Sequence, residues 1–148
     1  MRSDRRALVH GDYSLKNVLV EQTDDGSLVW IIDFEVAHWG SPWFDTSFLL
    51  NYLVIKAIYN REQWARYIAA AKAFWDAYDQ TVSWNVEAET VTELGVLMLA
   101  RVDGKSPVKY VTDDSVKRTL RTVAKEILQE DLSTLDELKV LVESEVPQ

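Results

Sequence analysis

A chain of 148 residues that is 47% apolar has the size of one domain and enough apolar side chains for a buried core. Its formal charge of −8, with no basic stripe, argues against nucleic acid as a partner, and no apolar run approaches the ~20 residues that a membrane-crossing helix needs. The absence of Cys excludes disulfides and thiolate metal sites.

The basic start, MRSDRR, with Arg2, Arg5 and Arg6 as its one tight cluster, is not followed by an uninterrupted apolar signal region, so the chain is read as cytoplasmic. Ala7–Val9 reads as a short strand or strand end. It runs into HGDYSLKN, residues 10 to 17. Asn17–Glu21 (NVLVE) and Leu28–Ile32 (LVWII) are apolar and rich in β-branched residues, and the TDDGS between them carries an Asp-Gly hairpin signal. From Asp45 the pattern becomes helical. Asp45-Thr46-Ser47 offers cap chemistry, and the segment to about Tyr59 is apolar nearly all round, as in a buried helix. A second helix, Arg61 to about Thr81, aligns Trp64, Tyr67, Ile68, Ala71, Phe74, Trp75 and Tyr78 in one stripe. A third runs from Val86 to Ala100 with Asn85 as cap, and a fourth from Asp113 to Gln129. A fifth opens at Ser133, where Ser133 and Asp136 resemble a capping box, and ends near Val146. Segregated strands and helices indicate an α+β fold, a single domain over 1–148, divided into a loop-and-hairpin part (1–44) and a helical part (45–148).

A hairpin centred on Asp25 pairs Val18 with Ile32, Leu19 with Ile31 and Val20 with Trp30. One step further it sets Asn17 opposite Asp33. Directly opposed residues have Cβ atoms ~4.5–5.5 Å apart, so two oxygen-bearing side chains there can share one hard cation. Asp12, after a glycine that permits a tight turn, can hang over the same hairpin mouth as a free carboxylate. Excess carboxylate elsewhere is read as a solvated surface. A metal that neutralises phosphate oxygens, beside a carboxylate that takes a hydroxyl proton, is the division of labour that phosphoryl transfer needs.

The joint pattern HGDxxxxN, a short hairpin and then IIDFE resembles the aminoglycoside phosphotransferase, choline kinase and methylthioribose kinase superfamily, the small-molecule branch of the protein-kinase-like fold. Gly11 and Glu35 stand where protein kinases have Arg and Gly, as in that branch. VAHWGSPWFDTSFLL and ARVDGKSPVKYV also look like it. The resemblance implies a kinase-like C-terminal lobe, mainly helical, with a small hairpin carrying the catalytic and metal residues. It implies ATP as co-substrate, Mg²⁺ as cofactor and the hydroxyl of a small molecule as acceptor. Asp12 would be the catalytic base. Asn17 and Asp33 would bind Mg²⁺, and Lys16 could approach a phosphate. His10 would hold the catalytic loop, with a direct catalytic part as the alternative. Asp45 would cap and anchor its helix. Glu35, Trp39 and Trp43 are candidates for substrate contact; an aromatic cage for a quaternary ammonium group is one form of it. Residues 34–44 leave little room for a long activation loop, which favours a small acceptor.

No glycine-rich nucleotide loop and no phosphate-clamping strand lysine is present, so the N-terminal lobe is expected to be absent, or supplied by the same gene upstream or by another chain. An exposed lobe interface would favour self-association, so a homo-oligomer is one expectation. Two other readings compete with a phosphotransferase lobe. One is a catalytically incompetent kinase-like module used for assembly or regulation. The other is a metal-dependent phosphoesterase using Asp12, Asn17, Asp33 and a histidine, His10 or His38.

Overall fold

The structure, a computed structural model, describes residues 7–146. The arginine cluster at Arg2, Arg5 and Arg6 lies outside the described residues. Four short strands precede five helices: β1 (Ala7–Val9), a 3-10 turn (Leu15–Asn17), β2 (Val18–Thr23), β3 (Gly26–Ile31), β4 (His38–Gly40), α1 (Trp43–Tyr59), α2 (Trp64–Thr81), α3 (Glu87–Asp103), α4 (Asp114–Gln129) and α5 (Leu135–Glu145). The architecture is mixed, mostly helix with two small antiparallel sheets, and is compatible with a kinase-like helical lobe.

The helical core is built around α1. Its residues Leu50, Ile55 and Ile58 are fully enclosed, as are Leu94 and Met98 of α3 and Leu120 and Ile127 of α4. α1 packs against α2 and α3, and α3 against α4. That last pair meets closely at Gly95, where a Cβ would stand 2.9 Å from the Ile127 side chain. Of the aromatic stripe on α2, Trp75 is buried and Trp64 half-buried. Among the described residues no helix is long and apolar enough to cross a membrane.

Helix starts differ from expectation by one to three residues, the largest difference falling at α2, where Arg61–Gln63 forms a 3-10 turn ahead of the helix. α1 begins at Trp43, directly after Pro42, whose fixed φ of −62° suits a helix start. Asp45 therefore sits inside the first turn, and its side chain is engaged elsewhere. Asn85 Oδ1 accepts from the Glu87 amide, as a cap would, although α3 itself starts at Glu87 and continues to Asp103. The capping box of α5 is shifted by one residue from Ser133 and Asp136. Thr134 Oγ1 accepts from Glu137 N, and the Glu137 carboxylate accepts from Thr134 N at 3.0 Å and Ser133 N at 2.9 Å. Glu137 has the extra methylene that this reach requires, and these bonds hold its carboxyl below the usual carboxylate range.

The hairpin register is also shifted by one. Thr23 pairs with Gly26 and Val18 with Ile31, so Asp24 and Asp25 form a two-residue turn and Gly26 takes the positive φ, 136°. Leu19 lies opposite Trp30 on one face, and Val20 opposite Val29 on the other. Both faces are open to solvent: these four residues are 50%, 53%, 59% and 61% exposed. A separate pairing went unanticipated. β4 lies antiparallel to β1, with Leu8 opposite Trp39 and Val9 opposite His38.

Candidate active site

The loop after β1 is held from three directions. His10 is buried, and its backbone N–H donates to Asp45 Oδ2 at 2.6 Å; the next amide, Gly11 N, donates to Asp45 Oδ1 at 3.0 Å. One carboxylate on the first turn of α1 thus accepts from two consecutive backbone donors. Such charge-assisted bonds are about twice as strong as neutral ones. The His10 ring bridges the loop to the hairpin. Its Nε2 is 2.8 Å from the Ile32 carbonyl, and its Nδ1 accepts from Asp12 N at 3.3 Å. A carbonyl can only accept, so the proton sits on Nε2 and the imidazole serves as a neutral strut. The Phe34 ring packs on it at 4.6 Å.

Gly11 has φ 83°. A Cβ there would lie 2.8 Å from the Val36 carbonyl oxygen, so both backbone and space require glycine. This turn delivers Asp12 to the mouth of the hairpin. Asn17 Nδ2 donates to the Asp12 carbonyl at 2.9 Å and to Asp12 Oδ2 at 3.2 Å, and Lys16 Nζ is 2.8 Å from the same Oδ2. The Lys16 ammonium is held above its usual range chiefly by its hydrogen bond to Asp12, with the Asp12 charge next and smaller contributions from Tyr52 and Asp33. Asp12, Lys16 and Asn17 therefore form one contact cluster.

Asn17 is buried at the end of the 3-10 turn. Its carbonyl accepts from Ile32 N at 3.0 Å, so its cross-strand neighbour is Ile32 rather than Asp33. Asp33 follows immediately, exposed, with φ 67°. That left-handed backbone takes the chain out of strand geometry, so strand alternation does not govern its direction. Asp tolerates this region better than most residues, at a cost in strain. The site has two hard oxygen donors in adjoining segments. Asn17 makes both its side-chain contacts through Nδ2, which leaves Oδ1 for another partner, and Asp33 brings an exposed carboxylate. Such a set suits Mg²⁺, which takes few protein oxygens and keeps waters. Among the described residues no group of three His, Cys, Asp or Glu side chains forms a metal cluster.

The remaining candidates are spread wider. Glu35 is exposed beside Phe34. Trp39 is an exposed residue of β4, while Trp43 opens α1 and is partly buried against the helical core. His38 Nδ1 faces the Val36 carbonyl at 3.0 Å. Two contributions escaped the sequence reading: Asp45 as the acceptor that shapes the loop from 35 positions away, and the Ile32 carbonyl as the anchor of His10. The acid near the start of an apolar helix was the visible signal for the first. A backbone carbonyl leaves no signal for the second.

The model of a family described as the phosphotransferase enzyme family matches residues 1–84, which is more than half of the chain. No curated protein and no solved structure matches.

Proposed function

Because the chain belongs to the phosphotransferase enzyme family, we propose that it is the catalytic lobe of an ATP-dependent kinase acting on a hydroxyl of a small molecule. The observation that carries this reading is the Asp12–Lys16–Asn17 cluster, fixed beside the Asp33 turn by Asp45 and His10. Asp12 takes the acceptor's hydroxyl proton as the acceptor oxygen bonds to the γ-phosphorus. The bond from that phosphorus to the bridging oxygen breaks, and ADP leaves. Lys16 moves from Asp12 to the transferring phosphoryl group, an exchange open to an exposed, flexible side chain. Asn17 Oδ1 and the Asp33 carboxylate would hold Mg²⁺, which when bound neutralises charge on the phosphate oxygens. His10 acts through position alone, both ring nitrogens being engaged with backbone. Glu35 and Trp39 border the acceptor side.

The reading includes a nucleotide-binding lobe, on the same or another chain, over the hairpin. The support is the apolar exposure of both hairpin faces. A two-stranded sheet with neither face covered is marginal in water, and leaving Leu19, Val20, Val29 and Trp30 wet forgoes ~25 cal/mol per Å² of burial. The test is transfer of labelled phosphate from ATP, with Mg²⁺, to a panel of sugars, aminoglycosides and amino alcohols, using the full chain alone and the protein completed with a nucleotide-binding lobe. Mg²⁺-dependent labelling of one acceptor class is expected. Failure of the lobe-complete protein to bind or hydrolyse ATP with Mg²⁺ would refute the reading.

A further inference from the structure

Arg101, near the end of α3, is half-buried and has no carboxylate partner among the described residues. Its Nη1 donates to the Ser106 carbonyl at 2.9 Å and hydroxyl at 3.1 Å, and its Nη2 to the Tyr52 hydroxyl. Of the five guanidinium N–H donors, that leaves Nε–H and one on Nη2. These two share one edge, the edge with which Arg121 grips Asp103, Nε at 2.9 Å and Nη2 at 2.7 Å. On Arg101, Nε is shielded and has no partner among the described residues, and the Tyr110 hydroxyl is a second shielded group without one. Burial, then the Tyr52 hydroxyl, pushes Tyr110 up to about 12 against the opposing charge of Arg101, so it keeps its proton. The Lys56 ammonium lies over the Tyr110 ring at 3.9 Å. Arg101 also lines an open cleft of about 380 Å³ whose described walls include Lys109 and Lys117 and no Asp or Glu, although Lys117 pairs with Asp114 at 3.6 Å.

Both groups without partners are donors. A buried donor left unsatisfied costs more than an ordinary hydrogen bond returns. A cation would be repelled by Arg101 and Lys56, and an apolar group would satisfy neither donor. A carboxylate or phosphate oxygen satisfies both and balances the guanidinium charge. Position ties this cluster to the catalytic loop. Tyr52 lies two turns, about 10 Å, along α1 from Asp45, which holds that loop. Phe44, Phe48 and Tyr52 follow one another on the same face of α1, with successive rings 5.8 and 5.7 Å apart. Tyr52 also adds to the field that holds the Lys16 ammonium up. We infer that Arg101 and Tyr110 bind the anionic group of the acceptor, a carboxylate or phosphate carried on the same molecule as the reacting hydroxyl. Assigning the anion to the acceptor rests on the proposed kinase reading; the binding of the anion does not.

Calorimetric titration of the full chain, without nucleotide or metal, compares sorbitol with gluconate and with sorbitol 6-phosphate, which carry the same polyol chain with a carboxylate or a phosphate at one end. One of the two anions is expected to bind at least tenfold more tightly than sorbitol, and the tighter of them identifies the group. It is expected to move the Arg101 Nε–H resonance in the unaltered protein. Tyr110→Phe removes only the hydroxyl, and should weaken anion binding about tenfold, the size of one charge-assisted hydrogen bond, with no fall in melting point. Arg101→Lys keeps the charge, loses the paired edge and should weaken it as well. Equal affinity for all three compounds, an unmoved Nε–H resonance, or binding that survives both substitutions overturns the inference. In the lobe-complete protein Tyr110→Phe should raise KM for the anionic acceptor and leave the turnover number unchanged. Transfer to neutral acceptors alone would overturn this inference and leave the kinase reading intact. Anion binding at Arg101 in a lobe-complete protein that neither binds nor hydrolyses ATP would refute the kinase reading and leave the anion site standing.

Discussion

Asp12→Asn lowers the turnover number of phosphoryl transfer by roughly 10²–10⁴-fold, the range over which a positioned general base contributes. The substitution is chosen for what it keeps. An amide oxygen at this position still accepts from Asn17 Nδ2 and Lys16 Nζ, the two contacts that Asp12 Oδ2 makes. The loop geometry, fixed by Asp45 and His10, does not depend on the carboxylate. What disappears is the capacity to take a proton. Turnover and turnover over KM should therefore fall together, with nucleotide affinity preserved. Steady-state kinetics of the lobe-complete protein, with a thermal melt as control, checks this. Unchanged turnover would remove Asp12 from the chemistry.

Asp45→Ala has the largest expected effect on stability. It removes the acceptor from two backbone N–H groups at once, in a part-buried loop that offers them no substitute. Hydrogen bonds to charged groups contribute ~1.5–3 kcal/mol each, and the pair shares one acceptor, so the combined loss is about 3 kcal/mol rather than a full sum. At this chain length that lowers the melting midpoint by roughly 10 °C. Asp45 also places negative charge in the first turn of α1, where the helix dipole favours it. Asp45→Asn, which retains one accepting oxygen, should recover part of the loss. Thermal unfolding of the two variants decides it, and a melting point equal to that of the unaltered chain would show that the loop is held by something else.

The helices and the β1–loop–hairpin order were legible in the sequence because each is written locally. Trp64, Ala71 and Trp75 repeat at helical spacing, and Asp113 lies one residue before α4, where its carboxylate accepts from Ser115 N. The family was legible because its signature residues cluster within 8–50. The hairpin register was not. Placing the bend on Asp25 assumed a symmetric loop, whereas the chain turns on Asp24-Asp25 and leaves Gly26 to absorb the positive φ. Direct opposition of Asn17 and Asp33 went with it. Long-range features were also hidden: β4 becomes a strand only because β1 lies beside it, and the Asp45 carboxylate acquires its partners only when α1 folds back under the loop. Neither Trp39 nor Trp43 is among the rings lining a cavity beside β1, which come from residues as far apart as Tyr13 and Trp84.

The account rests on Asn17 and Asp33 acting as one hard-oxygen pair next to Asp12. Titration of the isotopically labelled full chain with Mn²⁺, a paramagnetic stand-in for Mg²⁺, reads this directly by NMR. The expected result is early broadening of the Asn17 side-chain amide together with the Asp33 and Phe34 backbone amides, reversed by Mg²⁺ and lost in Asp33→Ala. Broadening that begins at other carboxylates, or that persists at Asn17 when Asp33 is gone, would contradict it.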